Sequence, residues 1–244
     1  MSVWGKIIGG AAGFAIGGPL GALLGASVGH AVDSGLVGAA GRAGEGATRK
    51  ITFTIGVIAL SAKMAKADGQ VTRDEIEAFR EVFKIPPHEV RNVGRVFDMA
   101  RKDTAGYEAY AAQIARLFKE TPQVLEDLLG ALFHIANADG IMHPAEIEYL
   151  DNVARIFGFS DAQYESIRAL HMGPDRASPY TIMGISPDIS DKDLKKRYRT
   201  LIKENHPDKL IAQGMPQEFI EVANDRLAAI NAAYDRLEEQ RGLK

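Results

Sequence analysis

The N-terminal stretch of this chain restricts its possible structures more than any other feature, because it is long, apolar and uncharged. Residues 7–29 contain no charged side chain. As a helix they would extend over roughly 35 Å, which is enough to cross a bilayer. We therefore predict a single membrane-spanning helix within residues 1–33 that contacts membrane lipid.

Glycine recurs at every fourth position of this stretch and therefore lies along one stripe of the predicted helix. In water each interior glycine would cost the helix about 0.8–1 kcal/mol relative to alanine, whereas in lipid a stripe of small residues lets a second helix approach closely. We predict a homodimer through this glycine zipper, whose face comprises Gly9, Gly13, Gly17, Gly21 and Gly25. A signal peptide, a flexible tail and a peripheral zipper that packs on other proteins remain as alternatives.

Positive charges flank the predicted span unequally, and they predict its orientation. Lys6 alone precedes the span, whereas Arg42, Arg49 and Lys50 follow it. Because lysine and arginine are retained on the cytoplasmic side, we expect a single-pass protein with its C-terminal domains in the cytoplasm. Residues 34–50 are mostly glycine, alanine, serine and isolated charges, a composition typical of a flexible linker.

The middle of the chain, residues 51–170, is predicted to be a helical bundle with an internal repeat. The segment Ala-Lys-Ala-Asp-Gly-Gln-Val at 65–71 returns as Ala-Asn-Ala-Asp-Gly-Ile-Met at 136–142, each time after an apolar helix. The predicted core contains Phe79, Val82, Phe83, Val93, Val96, Phe97, Ile114, Leu117 and Phe118. This part resembles the TerB-like helical domain, in which similarly placed acids have been suggested as a metal site.

Each repeat carries two acids that can either hold a metal ion or cap a helix. Asp68 with Glu75, and Asp139 with Glu146, have the spacing of the second half of an EF-hand loop, but the residues that would supply the first ligands are missing. We therefore predict no metal site and expect each acid to bond backbone N–H groups at the start of a helix. Weak divalent-metal binding by the two pairs together stays open as an alternative.

The C-terminal part, residues 178–244, has the pattern of two helices joined by a short loop. Ser190 suits the N-cap of the first helix, whose apolar face is formed by Leu194, Tyr198, Leu201 and Ile202. Pro207 disfavours helical geometry at His206 and so ends that helix. The second helix follows Pro216, and its apolar stripe comprises Phe219, Ala223, Leu227, Ile230, Tyr234 and Leu237. The two stripes predict an antiparallel hairpin with His206-Pro207-Asp208 at its tip.

This hairpin resembles the J domain of DnaJ-type co-chaperones. Residues 179–185 resemble the short first helix and its glycine turn, residues 195–209 the second helix and its His-Pro-Asp loop, and residues 231–237 the third helix. We expect a three-helix J domain that lacks the fourth helix of the full pattern. The resemblance implies a partner, a DnaK-type ATPase chaperone whose ATP hydrolysis the domain stimulates.

The residues that would bind this chaperone lie in the loop and on the helix before it. The resemblance assigns the tip to His206, Pro207 and Asp208. A cationic surface on the preceding helix would face an acidic groove of the partner, and its members are Lys195, Lys196, Arg199 and Lys203. Such charges mainly raise the association rate and orient the complex.

The order of the parts, with a linker at 171–177 between the bundle and the J-like domain, is similar to that of the DjlA family of membrane-anchored bacterial co-chaperones. We therefore expect an all-α, membrane-anchored co-chaperone of the inner (cytoplasmic) membrane that recruits a DnaK-type chaperone. Two alternatives remain. One is a divalent-metal-responsive membrane sensor with the J-like domain as its output, and the other is a membrane scaffold.

Composition and motifs argue against other classes of protein. The chain has no cysteine, which excludes disulfides, thiolate nucleophiles and Cys-ligated zinc, and its net charge of -3 gives no sign of nucleic-acid binding. It contains neither a phosphate-binding glycine loop nor a zinc-protease helix motif. We therefore expect no catalytic residues, no cofactor and no enzyme activity of its own.

Overall fold

The computed structural model describes residues 18–21, 45–67, 73–82, 84–88, 90–102, 106–171 and 177–243, and in these ranges it contains helices and no strands. The prediction of an all-α fold is therefore confirmed. The α-helices of these ranges, from residue 45 onward, are α1 (Glu45–Ala67), α2 (Arg73–Val82), α3 (Val90–Lys102), α4 (Tyr107–Leu117), α5 (Pro122–Ala136), α6 (Pro144–Phe157), α7 (Asp161–His171), α8 (Pro179–Ile182), α9 (Asp191–Glu204), α10 (Pro207–Ala212) and α11 (Ile220–Gln240).

Helix α1 is the central helix of the bundle. Every residue from Ile51 to Ala65 is buried, and the helix packs against α3, α4, α5 and α6. This explains why its sequence is apolar on all sides, since a helix that is surrounded by others has no face for solvent. Among its few polar side chains, Thr54 donates its Oγ1 hydroxyl to the carbonyl of Lys50 at 2.9 Å.

Helix α1 begins at Glu45, six residues before the predicted start of the folded domain, so the linker predicted over 34–50 is helical at its end. A contact that is distant in sequence explains the difference. The Arg49 guanidinium donates to the carbonyl of Leu117 at 3.1 Å and lies 5.8 Å from the centre of the Phe118 ring. Local composition predicted a flexible linker. It could not show the ordering at Arg49, because the partners of this residue are distant in sequence.

The predicted core of the bundle is confirmed where it is described. Buried side chains of this set are Phe79, Val93, Val96, Ile114 and Phe118, while Phe97 and Leu117 are half-buried and pack against them. The side chains of Val82 and Phe83 lie outside the described residues. The apolar periodicity of α2, α3 and α4 thus indicated correctly which faces turn inward.

The C-terminal helices form a second, smaller core. It comprises Ile182, Met183, Leu194, Leu201, Ile230, Ala233, Tyr234 and Leu237, together with Leu170 from α7. Gly184 has a φ of +60°, as expected of the glycine turn after the short first helix. The hairpin of α9 and α11 predicted from their apolar stripes is therefore present, and α8 closes one side of it.

The start of α11 and the segment before it pack into the core of the bundle rather than into the J-like core. Residues that belong to the bundle core are Leu210, Met215, Phe219, Val222 and Ala223. The Phe219 ring meets the Phe53 ring of α1 edge to face, with 4.8 Å between their centres. The two parts that the sequence predicts as separate domains thus share one interior. His171, predicted as the first linker residue, is the last residue of α7.

The predicted membrane span lies outside the described residues except for residues 18–21. These four residues form a helical turn against the bundle, where Leu20 is fully buried and donates its N–H to the Gln113 Oε1 at 3.1 Å. Within the described ranges no helix is both long enough and apolar enough to cross a membrane. Of the predicted zipper glycines, Gly21 lies in this turn and the other four lie outside the described residues.

His171 should make the stability of the bundle depend on pH. Burial, with a contribution from His134, lowers the pKa of His171 from 6.5 to about 4, and its ring lies parallel to the Phe133 ring. The unfolded chain takes up this proton near the ordinary pKa and the folded chain only near pH 4. Stability is therefore lost as the pH falls from about 6.5 to about 4.

We expect this group to lower the free energy of unfolding by up to about 2 kcal/mol between pH 7 and pH 5. Urea unfolding of the full chain in detergent, followed by circular dichroism, measures the change. His171→Gln should reduce the difference between the two pH values, because glutamine has no titrating group. A His171→Gln chain with the full pH difference would contradict the assignment.

Candidate functional site

The end of α9 sets the position of the predicted tip. Helix α9 is capped at its N-terminus by Ser190, whose hydroxyl accepts the Asp193 N–H at 3.1 Å as predicted. It ends at Asn205, which is buried and donates both its backbone N–H, at 2.9 Å, and its side-chain amide, at 2.8 Å, to the Leu201 carbonyl. These bonds close the helix, so that the chain turns outward at His206.

His206, Pro207 and Asp208 form the first turn of a short helix, α10, rather than an open loop. His206 is the N-cap and its Nδ1 accepts the Asp208 N–H at 3.3 Å, while Pro207 occupies the first helical position. Proline fits this position because the first turn leaves its N–H groups unpaired. The side chains of His206 and Asp208 are 54% and 87% exposed. The tip is exposed, and its backbone forms a helical turn where the sequence predicted a loop.

The tip is exposed on its outer side and anchored on its inner side. Leu210, two residues after Asp208, is fully buried in the bundle core and donates its N–H to the His206 carbonyl at 3.2 Å. Gly214 follows with a φ of +111°, and a Cβ atom there would lie 3.2 Å from the Cβ of Arg49. The bundle therefore holds the segment behind the tip in place.

The basic surface on α9 is oriented by contacts on the opposite face of the helix. The Tyr198 ring stacks on the Tyr234 ring with 3.8 Å between centres, and its hydroxyl donates to the Asn231 Oδ1 at 3.0 Å. The Arg197 Nε donates to the Met183 carbonyl at 3.2 Å, which removes this arginine from the free basic set. The members of the predicted surface are arranged around the exposed side of α9: Lys196, Arg199 and Lys203 are exposed and Lys195 is half-buried.

Arg241 ties the end of α11 to the loop before α9. Its guanidinium donates to the carbonyls of Pro187 and Ile189 at 2.8 and 2.7 Å and pairs with Asp191 at 2.9 Å. The Arg241 Nε also donates to the Tyr180 hydroxyl at 3.2 Å. One side chain thus holds three segments of the J-like domain together. Its position at the end of a helix gives no sign of this in the sequence.

The acids of the second repeat bond backbone N–H groups, as predicted. The Asp139 Oδ1 accepts the Ile141 N–H at 2.9 Å, and the Glu146 Oε2 accepts the His143 N–H at 2.9 Å within a capping box at the start of α6. Asp68 and the side chain of Glu75 lie outside the described residues. In the part of the chain that the structure describes, no group of three or more acidic or histidine side chains is placed to hold a metal ion.

Comparison with known families covers the chain in three consecutive parts. The model of the co-chaperone DjlA transmembrane domain matches residues 1–43, that of the tellurite resistance protein TerB matches residues 54–169, and that of the DnaJ domain matches residues 178–242. The segment that contains the predicted glycine zipper is thus similar to a transmembrane domain.

Relatives in several bacteria match the chain over all or nearly all of its length. The co-chaperone protein DjlA of Photobacterium profundum is 30% identical over 99% of this chain and all of the relative. This chain belongs to the DjlA co-chaperone family. The DjlA proteins of Aliivibrio fischeri and Vibrio cholerae are 30% and 29% identical, each over the full length of both chains. No solved structure matches this chain.

Membership of the DjlA family, with a DnaJ domain at residues 178–242, makes this chain a membrane-anchored J-domain co-chaperone. The exposed tip and the basic surface on α9 both lie within the DnaJ-domain match. The TerB-like bundle, in turn, supplies the interior that holds the segment behind the tip. In this DjlA-family chain the two domains are therefore structurally coupled.

Proposed function

We propose that this chain recruits a DnaK-type chaperone to the membrane and stimulates its ATPase activity through His206, Pro207 and Asp208. One observation carries the proposal: the tip is exposed on its outer side, while Leu210 directly behind it is fully buried. A protruding group on a rigid base loses little conformational entropy when it binds. The tip is thus suited to contacts that distinguish one state of a partner from another.

The basic surface on α9 would dock the partner, and the tip would act on it. Lys196, Arg199 and Lys203 are exposed on the helix that leads to the tip, so an acidic groove that binds them also meets His206. Charges at the rim of an interface chiefly steer association. The Asp208 carboxylate is 87% exposed and lies 3.9 Å from the His206 Nδ1, so a basic residue of the partner can reach it. ATP hydrolysis itself takes place in the partner, and this chain regulates it.

The proposal includes the arrangement at the membrane. The N-terminal segment would cross the inner membrane once after residues 18–21 leave their contact with the bundle. It would pair two copies through Gly9, Gly13, Gly17, Gly21 and Gly25, and the helical domains would lie in the cytoplasm. The match to a transmembrane domain at residues 1–43 and the positive charges that follow the predicted span support this arrangement. We do not extend the proposal to metal sensing, since Asp139 and Glu146 already accept backbone N–H groups.

Reversing two charges of the basic surface tests the docking step. In Lys196→Glu/Arg199→Glu we expect the concentration of chain that gives half-maximal ATPase stimulation to rise roughly tenfold at low salt, with the maximal stimulation retained. The difference from the unaltered chain should shrink as salt is added, because exposed charges are screened. Steady-state ATP turnover by a purified DnaK-type chaperone measures both quantities.

A matched control reverses two exposed charges on the bundle. Arg91→Glu/Arg95→Glu makes the same change in net charge on one face of α3, and it should leave the half-maximal concentration unchanged. An equal rise in the half-maximal concentration for both double variants would show that only the total charge of the chain matters. An unchanged half-maximal concentration in Lys196→Glu/Arg199→Glu would remove α9 from the docking surface.

A further inference from the structure

A cavity of about 310 Å³ opens between α1, α2 and α3 of the bundle, with Ile135 of α5 on its wall. Its lining is predominantly apolar and includes Met64, Ala65, Phe79 and Val93. None of the tip residues or basic residues of the J domain lines it. Ligand pockets in proteins range from roughly 300 to 1,000 Å³, so this cavity suits a single side chain or a small ring better than a large cofactor.

One polar group inside this cavity has no partner. Ser61 lies on the central helix α1 and is 3% exposed, and its hydroxyl makes no hydrogen bond within the described part of the chain. A buried hydroxyl without a partner destabilises a fold, and most such groups in native proteins are paired. The Ser61 Oγ is itself enclosed, and rotation of the side chain about its Cα–Cβ bond would turn the hydroxyl toward a ligand in the otherwise apolar space.

A glycine on the cavity wall is not required by the packing of the bundle. Gly94 lies in the interior of α3, where glycine weakens a helix relative to alanine. A Cβ atom at this position would meet no other atom within 4 Å. Neither a close approach of another element nor a positive φ explains the glycine. Its effect is to leave room beside the cavity.

The mouth of the cavity combines apolar and charged groups. Ile76 is 42% exposed there, and Arg80 is exposed beside it. Asp98 and Arg101, which also line the mouth, form an exposed ion pair at 3.7 Å. An apolar centre with a polar rim of both charge signs is typical of a surface that binds a polypeptide, whose backbone and flanking side chains meet the rim.

We propose that this cavity binds a tyrosine side chain presented by an extended polypeptide segment. The ring would fill the apolar space between α1, α2 and α3, and the phenolic hydroxyl would pair with the Ser61 hydroxyl at the buried helix. Tyrosine combines a large apolar body with one polar atom at its end, which matches an apolar cavity that holds one unpaired hydroxyl. This site belongs to the TerB-like bundle and does not depend on the chaperone-stimulating function of the J domain.

Two capped amino acids that differ only in one hydroxyl test the site. N-acetyl-tyrosinamide and N-acetyl-phenylalaninamide are titrated into the full chain in lipid nanodiscs, with isotope-labelled methyl groups of isoleucine and methionine observed by NMR. We expect both probes to shift the methyl signals of Met64, Ile76 and Ile135, while those of Ile182 and Ile230 in the J-domain core stay unchanged. The tyrosine probe should bind roughly three- to tenfold more tightly than the phenylalanine probe, because it forms one additional hydrogen bond.

Two variants distinguish the contribution of the hydrogen bond from that of the cavity volume. Ser61→Ala should bring both probes to the same affinity, because only the hydroxyl distinguishes them. Gly94→Leu should abolish binding of both by filling the cavity, and leucine also favours the helix, so loss of folding is not expected. A tyrosine preference that persists in Ser61→Ala would overturn the proposal, as would the absence of any shift at the lining methyl groups.

A comparison of a longer with a shorter tyrosine ligand tests whether the site binds a polypeptide. A capped hexapeptide with one central tyrosine should bind more tightly than N-acetyl-tyrosinamide, because its backbone reaches the rim beside Ile76 and Arg80. The same peptide with phenylalanine in place of tyrosine should bind more weakly by the factor measured for the two capped amino acids. Equal affinity of the hexapeptide and the capped tyrosine would restrict the site to a small phenolic ligand and overturn the assignment to a polypeptide.

Discussion

Replacing His206 with glutamine should reduce the stimulation of a DnaK-type ATPase by the full chain more than about tenfold, the loss typical of a central interface residue. The imidazole is 54% exposed, and in the described part of the chain it accepts one hydrogen bond, from the Asp208 N–H to its Nδ1. Losing an N-cap bond costs about 1 kcal/mol, so the fold should persist. The measurements are ATP turnover of the partner and the circular dichroism spectrum of the chain.

Two control variants distinguish the chemistry of the imidazole from its role in capping α10. His206→Asn keeps an excellent N-cap but removes the imidazole, so it should lose stimulation as His206→Gln does. His143 is the matched position, since it also caps a helix through its Nδ1 and also precedes a proline, at the start of α6. His143→Gln should retain stimulation. Full stimulation by His206→Gln would remove the tip from the proposed mechanism, and retained stimulation by His206→Asn would reduce its role to capping.

The tip was predictable from the sequence because the signals that form it are local. Ser190 caps α9, a proline follows the residue that starts the turn, and apolar residues recur at helical spacing on either side. These effects act over a few residues and need no knowledge of the rest of the fold. The sequence did not show that His206-Pro207-Asp208 opens a short helix, because the length of α10 depends on Leu210, which is buried in a distant core.

The coupling of the two domains was not predictable, because an apolar stripe indicates burial but not its partner. Ala223 of α11 and Phe219 just before it were correctly predicted to be buried, yet they pack in the bundle core rather than in the J-domain core. A stronger sign was present at Arg226, which lies on the same stripe, three residues after Ala223 and four before Ile230. A charged residue within an apolar stripe indicates a buried ion pair, but its partner Asp127 is 99 residues away.

Arg226 should be the residue whose loss most destabilises the contact between the two domains. It is 6% exposed, and its guanidinium pairs with Asp127 of α5 at 3.2 Å and also with Glu126. Burial lowers the pKa of Arg226 to about 9, so the side chain stays charged at neutral pH. Arg226→Met would leave the fully buried Asp127 carboxylate without its counter-charge. Removing one partner of a buried pair costs roughly 3–5 kcal/mol.

Urea unfolding of the full chain in detergent at pH 7 measures this loss, and a second substitution shows its cause. Arg226→Met/Asp127→Leu removes the more deeply buried carboxylate together with the guanidinium, and only Glu126, whose side chain is 16% exposed, then lacks its partner. Because desolvation offsets much of the attraction in a buried pair, the double variant should recover most of the stability that Arg226→Met loses. The Asp127 Oδ2 and the Arg226 Nε have no hydrogen-bond partner in the described ranges, which makes this recovery more favourable. A single variant within about 1 kcal/mol of the unaltered chain, or a double variant no more stable than the single one, would show that the ion pair does not hold the domains together.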